Sequence, residues 1–432
     1  SLRRQRQMCI RDSRWIGRLS ATASQPTTMS VQVAGGRVFS LERPAGADQY
    51  VLRVRDVADT WVRTLVDPAT MAHDAAVAID WFHPSHDGSL VAYGLSEGGT
   101  ENSTLHVMRV DTGEVLPDRI PNCRAASVAF LPDDSGFWYA VYPQGDEYNR
   151  HIRFHRFGEP VSGDTVVFDR LPTPQSWPDV SVSACGRWLL VHVMVGWSHV
   201  DIHLLDRQSD TWRVVVEGVE ANSSLRVHGD RLVGATFRDA PNGRIVWASL
   251  DAPHEWHTLV AERPDTVLGS FAVDSVRQEL IVVASRVAVD SLEQYALDGR
   301  GAAQVIDLGV AGVVSLDSDD GVTMVATSGF GTPVLVSRVL DDGSLQPFGV
   351  DMASASLPDI VVRQVFYPST DGTQVPMFVA HRRDIVPSTD TPLVLTGYGG
   401  FAISESPIWM PNLAAWCGAG GVFAVAGLRG GY

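Results

Sequence analysis

The strongest constraint on the fold is a turn that recurs along residues 31–350, each time directly before a strongly apolar strand. The turns are small and either polar or glycine-containing, and they occur at 35–36, 83–88, 131–136, 182–186, 227–230, 273–278 and 317–321. Their spacing of about 42 to 52 residues divides the stretch into seven units. Within each unit apolar and polar residues alternate with a period of two, which predicts short half-buried strands.

A period of this length with about four strands per unit is typical of a β-propeller. Each blade is a small antiparallel sheet that cannot bury both of its faces alone, so neighbouring blades must stack. A pair of β-sandwiches with evenly spaced turns is the alternative, but seven similar spacings favour the propeller. We therefore predict a mainly β fold with a seven-bladed β-propeller over residues 31–350.

The pattern changes after the seventh unit, and we place a domain boundary near residues 349–358. Two alternating segments, DIVVRQVFY and VPMFVAH, predict a hairpin. An apolar run then leads into GYGGF, an amphipathic segment follows at 412–418, and a second apolar run leads into LRGG. This β-β-β-α-β order is the beginning of an α/β layer, which we assign to residues 351–432. Chemistry in such a layer lies at the carboxyl ends of the parallel strands.

The chain is acidic, with 50 Asp and Glu against 34 Lys and Arg and a formal net charge of −16. That balance argues against nucleic acid or an anionic membrane as a partner. Cys9, Cys123, Cys185 and Cys417 are too far apart for a C-x-x-C site or a disulfide framework, so we expect a reducing, cytoplasmic location. No apolar stretch approaches the roughly 20 residues that a membrane span needs.

The first twenty residues are basic, unlike the rest of the chain. They lack the apolar core of a secretory signal. We expect residues 1–30 to be a stub of vector or adapter origin, or else a disordered basic tail, and to lie outside the fold in either case.

Three segments, FYPSTDGTQVPMF, PLVLTGYGGFAIS and GGVFAVAGLRGG, placed after a seven-bladed propeller, resemble the prolyl oligopeptidase family of serine peptidases. Residues 93–118 are also similar to the second blade of that family. The resemblance implies that residues 351–432 are the incomplete N-terminal part of an α/β-hydrolase peptidase domain. It further implies an endopeptidase acting on proline-containing oligopeptides, with the propeller restricting substrate size, and a protein that is a monomer when full length.

The resemblance also implies roles for individual residues. Tyr398 would donate its hydroxyl to the oxyanion, and Phe401 would line the pocket for the substrate proline. From the residues themselves, Gly397, Gly399 and Gly400 permit positive φ and a close approach of backbone to substrate. We expect Arg429 to fix its turn rather than to touch substrate.

The family's catalytic Ser, Asp and His are absent, because the chain contains no G-x-S-x-G motif. The nearest string, at 196–200, lacks the closing glycine. We therefore expect a fragment that is inactive alone and whose reading frame continues past Tyr432. A non-catalytic propeller that binds a peptide or a protein, and an oligopeptidase B-like peptidase, are the alternatives.

No cofactor or metal site is expected. His254 and His257 do not form an H-E-x-x-H motif, because they are three residues apart. His83, His86 and Asp87 are interpreted as solvated turn residues. His151, Arg153 and His155 alternate along a predicted strand, which suits an exposed face or a tunnel wall better than a metal site.

Overall fold

The computed structural model describes residues 2–58, 61–71, 76–349, 357–401 and 403–429. These residues form seven four-stranded antiparallel sheets followed by an eighth, mixed sheet. In each of the first seven sheets consecutive strands pair in order, as in a propeller blade. The predicted seven-bladed propeller is therefore confirmed.

The strands are as follows. Blades 1 to 4 contain β1 (Thr27–Ala34), β2 (Arg37–Arg43), β3 (Val51–Asp56), β4 (Val62–Val66), β5 (Val77–Pro84), β6 (Leu90–Glu97), β7 (Thr104–Arg109), β8 (Val115–Ile120), β9 (Val128–Phe130), β10 (Gly136–Val141), β11 (His151–Arg156), β12 (Thr165–Phe168), β13 (Trp177–Val182), β14 (Trp188–Val195), β15 (His199–Asp206) and β16 (Thr211–Val216). Blades 5 to 7 contain β17 (Ser223–His228), β18 (Arg231–Thr236), β19 (Arg244–Ser249), β20 (His257–Val260), β21 (Val267–Asp274), β22 (Glu279–Arg286), β23 (Val289–Ala296), β24 (Gln304–Asp307), β25 (Gly312–Asp319), β26 (Val322–Gly329), β27 (Thr332–Val339) and β28 (Leu345–Pro347).

The recurring turn joins the first strand of each blade to the second. Five of these turns use a glycine at positive φ: Gly36, Gly88, Gly186, Gly229 and Gly321. In the other two turns Asp134 and Gln278 adopt the left-handed conformation instead, with φ of 51° and 56°. Each of the seven turns thus contains a residue at positive φ, although that residue is not always glycine, which explains why the repeat persists through the glycine-free turn.

The ring closes where blade 7 meets blade 1. Alternate residues of β25 bond to the backbone of β1 and of the turn after it: Asp317 Oδ2 accepts from Val33 N at 2.8 Å, and Asp319 Oδ2 accepts from Gly35 N at 3.4 Å. An apolar cluster lies behind them and comprises Val31, Val33, Val38, Val322, Met324 and Ala326. In the described part of the chain no backbone hydrogen bond joins these two blades. Side chains therefore hold the ring closed.

A cavity of about 540 Å³ lies among the first strands of the blades, lined by residues of β1, β5, β9, β13, β17 and β25. Its charged lining includes Arg226, Asp317 and Asp319, and Arg226 Nη1 lies 3.8 Å from Asp317 Oδ1. This cavity is the channel of the propeller.

The mixed sheet follows blade 7 and has the order β29-β30-β32-β31, where the strands are β29 (Ile360–Pro368), β30 (Gln374–Arg382), β31 (Leu393–Thr396) and β32 (Val422–Ala426). Strands β31 and β32 are parallel and are linked through helix α2 (Pro411–Gly418). Strand β32 is buried along its whole length, whereas Leu393 and Leu395 of the edge strand β31 are more than half exposed. The predicted hairpin and β-β-β-α-β order are present, and the predicted boundary at residues 350 and 351 lies outside the described residues.

The expectation that residues 1–30 lie outside the fold is wrong. Helix α1 covers Leu2–Ala23, and β1 begins at Thr27. Trp15 of α1 stacks on Trp416 of α2 with ring centroids 5.5 Å apart, and Thr22 Oγ1 donates to Pro411 O at 2.9 Å. Contact with α2 stabilises a helix that the local composition did not predict.

Within the described part of the chain, no helix is long and apolar enough to span a membrane.

The ring closure predicts a pH-dependent stability. Burial, together with the neighbouring Asp320 and Asp317, raises the pKa of Asp319 to about 6. Because the unfolded pKa is about 3.9, the folded state binds the extra proton between these values, and stability falls as pH rises through 6. We predict that Asp319→Asn melts a few degrees above the parent at pH 8 and equally near pH 4.

Thermal melts across this pH range check the prediction, with Asp230→Asn as the control because the side chain of Asp230 is 94% exposed. A difference between Asp319→Asn and the parent that does not change with pH would contradict it.

Candidate active site

Two glycine-containing turns lie side by side at the carboxyl ends of the parallel strands β31 and β32. The first is formed by residues 397–401 and the second by residues 427–429. A Cβ added at Gly399 would lie 2.7 Å from Leu428 Cβ, and one added at Gly397 would lie 2.9 Å from Ala426 O. Glycine is needed at both positions because the turns pack against each other, and Gly399 also has a φ of +66°.

Tyr398 and Phe401 project from the first turn. Their rings are stacked with centroids 6.3 Å apart, and the residues are 56% and 63% exposed. Among the described residues the Tyr398 hydroxyl has no hydrogen-bond partner. The turn thus presents an unengaged phenol donor beside an apolar ring.

Phe401 also contacts the propeller. Trp197 lies at the tip of the hairpin that joins β14 to β15, and its ring centroid is 5.7 Å from that of Phe401. Trp197 was not predicted as a site residue, because residues 196–200 are similar only to an incomplete nucleophile motif in the sequence. An aromatic residue between Gly196 and Ser198, where polar turn residues are usual, was the available signal.

Arg429 points away from Tyr398 and Phe401, towards the hairpin of the same sheet. It forms an ion pair with Asp371 and donates to Thr373 Oγ1 at 3.1 Å. The hydrogen bond from Arg429 holds the pKa of the Asp371 carboxyl below its usual value. In this structure Arg429 joins the second glycine turn to the β29–β30 turn.

A cavity of about 440 Å³ separates the mixed sheet from blades 6 and 7 next to the second glycine turn. Phe378, Glu405 and Gly427 line it from the mixed sheet, and Ser270 and Asp290 line it from the propeller. Burial raises the pKa of Asp290, which accepts from Val313 N at 2.8 Å. The space between propeller and sheet therefore carries carboxylates on both sides.

The other candidate side chains form no site. His155 is fully buried between Asp118 and Asp164 at 3.0 and 2.9 Å, so an exposed face or tunnel wall was the wrong interpretation. His83 is also not a turn residue, since it lies in β5 with Nε2 2.9 Å from Ala126 O. The described residues include no group of three or more His, Cys, Asp or Glu that could hold a metal ion.

Chemically, the arrangement can donate a hydrogen bond to a developing negative charge and can hold an apolar group next to that donor. Tyr398 carries the donor group, and the rings of Phe401 and Trp197 form the apolar surface beside it. Tyr398, Phe401 and Trp197 lie together at the carboxyl end of β31. Arg429 instead contacts Asp371 of the hairpin.

Comparison with known proteins finds similar sequences and similar structures. The family model described as "Prolyl oligopeptidase, N-terminal beta-propeller domain" matches residues 15–342. The prolyl endopeptidase of Elizabethkingia meningoseptica is 24% identical over 399 residues, which cover 89% of this chain and 56% of that protein. A prolyl oligopeptidase of Omphalotus olearius is 25% identical over 401 residues, covering 84% of this chain and 54% of the relative. The chain thus spans about half the length of these relatives.

Solved structures show the same fold. A structure from a study of two prolyl endopeptidases superposes with a TM-score of 0.86 at 26% identity, covering 97% of this chain and 64% of the other. Prolyl oligopeptidase B of Galerina marginata, bound to a 35-residue hydrolysis and macrocyclization substrate, gives 0.81 at 20% identity over 97% of this chain and 63% of the other. Oligopeptidase B of Leishmania major gives 0.80 at 19% identity over 98% and 63%. At these last two identities the likeness concerns the fold alone.

The packing of the two glycine turns yields a prediction. Gly399→Ala places a methyl group against Leu428 and forces a left-handed conformation on alanine, and we expect it to destabilise the turn by at least about 1 to 2 kcal/mol. Gly400→Ala is the matched control, because its φ is not positive and its nearest contact, Tyr398 Cε1, is 3.4 Å away. Chemical denaturation should show a loss for Gly399→Ala alone, and equal losses would contradict the packing described.

Proposed function

The chain belongs to the prolyl oligopeptidase family, and we propose that it supplies the propeller and the first part of the peptidase domain of a serine endopeptidase that cleaves proline-containing oligopeptides. One observation carries the proposal: among the described residues the hydroxyl of Tyr398 is unengaged at the carboxyl end of β31, and its ring stacks on Phe401, which contacts the propeller hairpin. In α/β sheets this edge is where chemistry takes place.

Peptide hydrolysis by a serine enzyme passes through a tetrahedral intermediate with negative charge on oxygen. A donor that is held in place before the charge develops stabilises it without reorganisation. In our proposal Tyr398 is that donor. The paired glycine turns hold the backbone that carries it, and a second donor comes from the backbone after the nucleophile.

Phe401 would select for proline. The pyrrolidine ring of proline is apolar and rigid, so an aromatic face can bind it by burial and shape without a hydrogen bond. Trp197 enlarges that apolar surface from the propeller side.

We propose that the propeller limits the size of the substrate. Side chains close the ring between blades 1 and 7, and a peptide could occupy the channel of about 540 Å³ and the cavity of about 440 Å³ beside the second glycine turn. Oligopeptides fit these spaces and folded proteins do not. We also propose a monomeric, cytoplasmic protein that binds neither nucleic acid nor membranes. The net charge of −16 supports the exclusion of nucleic acid and anionic membranes as partners, and the free thiols of Cys123, Cys185 and Cys417 support the cytoplasmic location.

In our proposal the nucleophile is not among these 432 residues. The sequence contains no G-x-S-x-G motif. We propose that the catalytic Ser, Asp and His come from chain beyond Tyr432, and that residues 1–432 alone are inactive.

The test compares two proteins on a blocked peptide that ends in prolyl p-nitroanilide. Residues 1–432 alone should release no p-nitroaniline above background. The protein extended by the reading frame beyond Tyr432 should release it steadily, and Tyr398→Phe in that protein should lower kcat about 10²- to 10³-fold with little change in KM. Phe401→Ala should instead weaken binding of the proline substrate.

Three results would contradict the proposal. Steady turnover by residues 1–432 would show that the nucleophile lies within them. Cleavage after arginine but not after proline by the extended protein would favour an oligopeptidase B-like specificity. A stop codon directly after Tyr432 would favour a propeller that binds peptides without cleaving them.

A further inference from the structure

Phe401 has an unusual backbone conformation for an aromatic residue. Its φ is +56°, in the left-handed region that glycine occupies freely and that other residues enter only at a steric cost. It lies inside a tight turn, in which the amide of Ile403 donates to Gly400 O at 3.1 Å. A strained turn of this kind persists only where its surroundings hold it.

The described contacts of the Phe401 ring show what does so. On one side is Tyr398 of the same turn, and on the other is Trp197 of the propeller, at centroid distances of 6.3 and 5.7 Å. Phe401 remains 63% exposed, so packing within the mixed sheet contributes little. Trp197 is itself 74% exposed, and a tryptophan placed in this way at a hairpin tip has little reason to be there for the stability of its own blade.

We propose that Trp197 is a positioning residue for the 397–401 turn. Its ring packs on Phe401 and holds the left-handed conformation, so the turn is fully ordered only while the β14–β15 hairpin of blade 4 touches it. A side chain of the propeller then holds the conformation of the turn that carries Tyr398 and Phe401.

The consequence for catalysis rests on the proposed function. Tyr398 stacks on Phe401, so a turn that relaxes when Trp197 is withdrawn also moves the phenol donor. Transition-state stabilisation requires the donor to be in place beforehand. Contact of the β14–β15 hairpin with the turn would thus also place the Tyr398 hydroxyl in position to donate to the oxyanion.

The experiment measures hydrogen exchange by mass spectrometry on residues 1–432. In Trp197→Ala, exchange of the Ile403 amide, followed in a peptide covering 398–404, should be roughly three- to tenfold faster than in the parent, which is the expected effect of losing one aromatic pair. Trp197→Phe should restore most of the protection. Met194→Ala is the control, because Met194 lies on the same hairpin, is 41% exposed and has no ring to stack on Phe401.

A double-mutant cycle separates positioning from a general structural role. If Trp197 acts through the Phe401 ring, replacing Trp197 in a Phe401→Ala background should add no further exchange at 398–404, and the melting temperature should stay that of the Phe401→Ala protein. Unchanged exchange in Trp197→Ala, or equal acceleration in Met194→Ala, would overturn the proposal.

A negative result for the role of Trp197 can be distinguished from a negative result for the proposed peptidase function. The exchange measurement needs no catalytic activity, so a negative result leaves the peptidase assay to stand on its own. An extended protein that is inactive on proline substrates would remove the catalytic consequence but would leave the coupling of Trp197 to the turn intact.

Discussion

Closure of the propeller ring is the constraint on which the rest of the structure depends. Each blade has two faces to bury, and blades 1 and 7 can bury their outer ones only against each other. Apolar packing and the acceptor side chains of β25 join them without a shared strand. Because α1 precedes blade 1 and the mixed sheet follows blade 7, closure also brings the two ends of the propeller together. The stacking of Trp15 on Trp416 is the visible result.

The candidate site depends on a second, smaller packing problem. Two parallel strands end next to each other, and their turns can lie in contact only because Gly397 and Gly399 lack side chains. Because the two turns are in contact, the side chains of Tyr398 and Phe401 project outwards from the first turn. On the far side, Arg429 joins the second turn to the hairpin through Asp371. The site thus combines backbone contacts between the two turns with a side-chain contact between Phe401 and the propeller.

Much of this architecture could be predicted from sequence because it is local. A turn followed by an apolar strand is a short-range signal, and its repetition gave both the number of blades and their order. The glycine turns could be located in the same way. The resemblance to a peptidase family then assigned roles to Tyr398 and Phe401 that periodicity alone could not supply.

What escaped prediction was long-range. The acceptors Asp317 and Asp319 lie 284 residues from their partners in β1, and nothing near them in sequence indicates that they close a ring. His155 was interpreted as an exposed strand residue, because its two carboxylate partners, Asp118 and Asp164, come from other segments of the chain. Helix α1 was not predicted, because the local composition does not show that contact with α2 stabilises it. The role of Trp197 could be inferred only from its contact with Phe401. The most direct test of the account is a crystal structure of the protein extended past Tyr432 with a peptidyl-prolinal bound covalently to its serine. We expect the Tyr398 hydroxyl to lie about 2.7 to 3.1 Å from the hemiacetal oxygen, with the proline ring against Phe401. An oxygen held by other donors, with Tyr398 turned away, would contradict the proposed role of Tyr398.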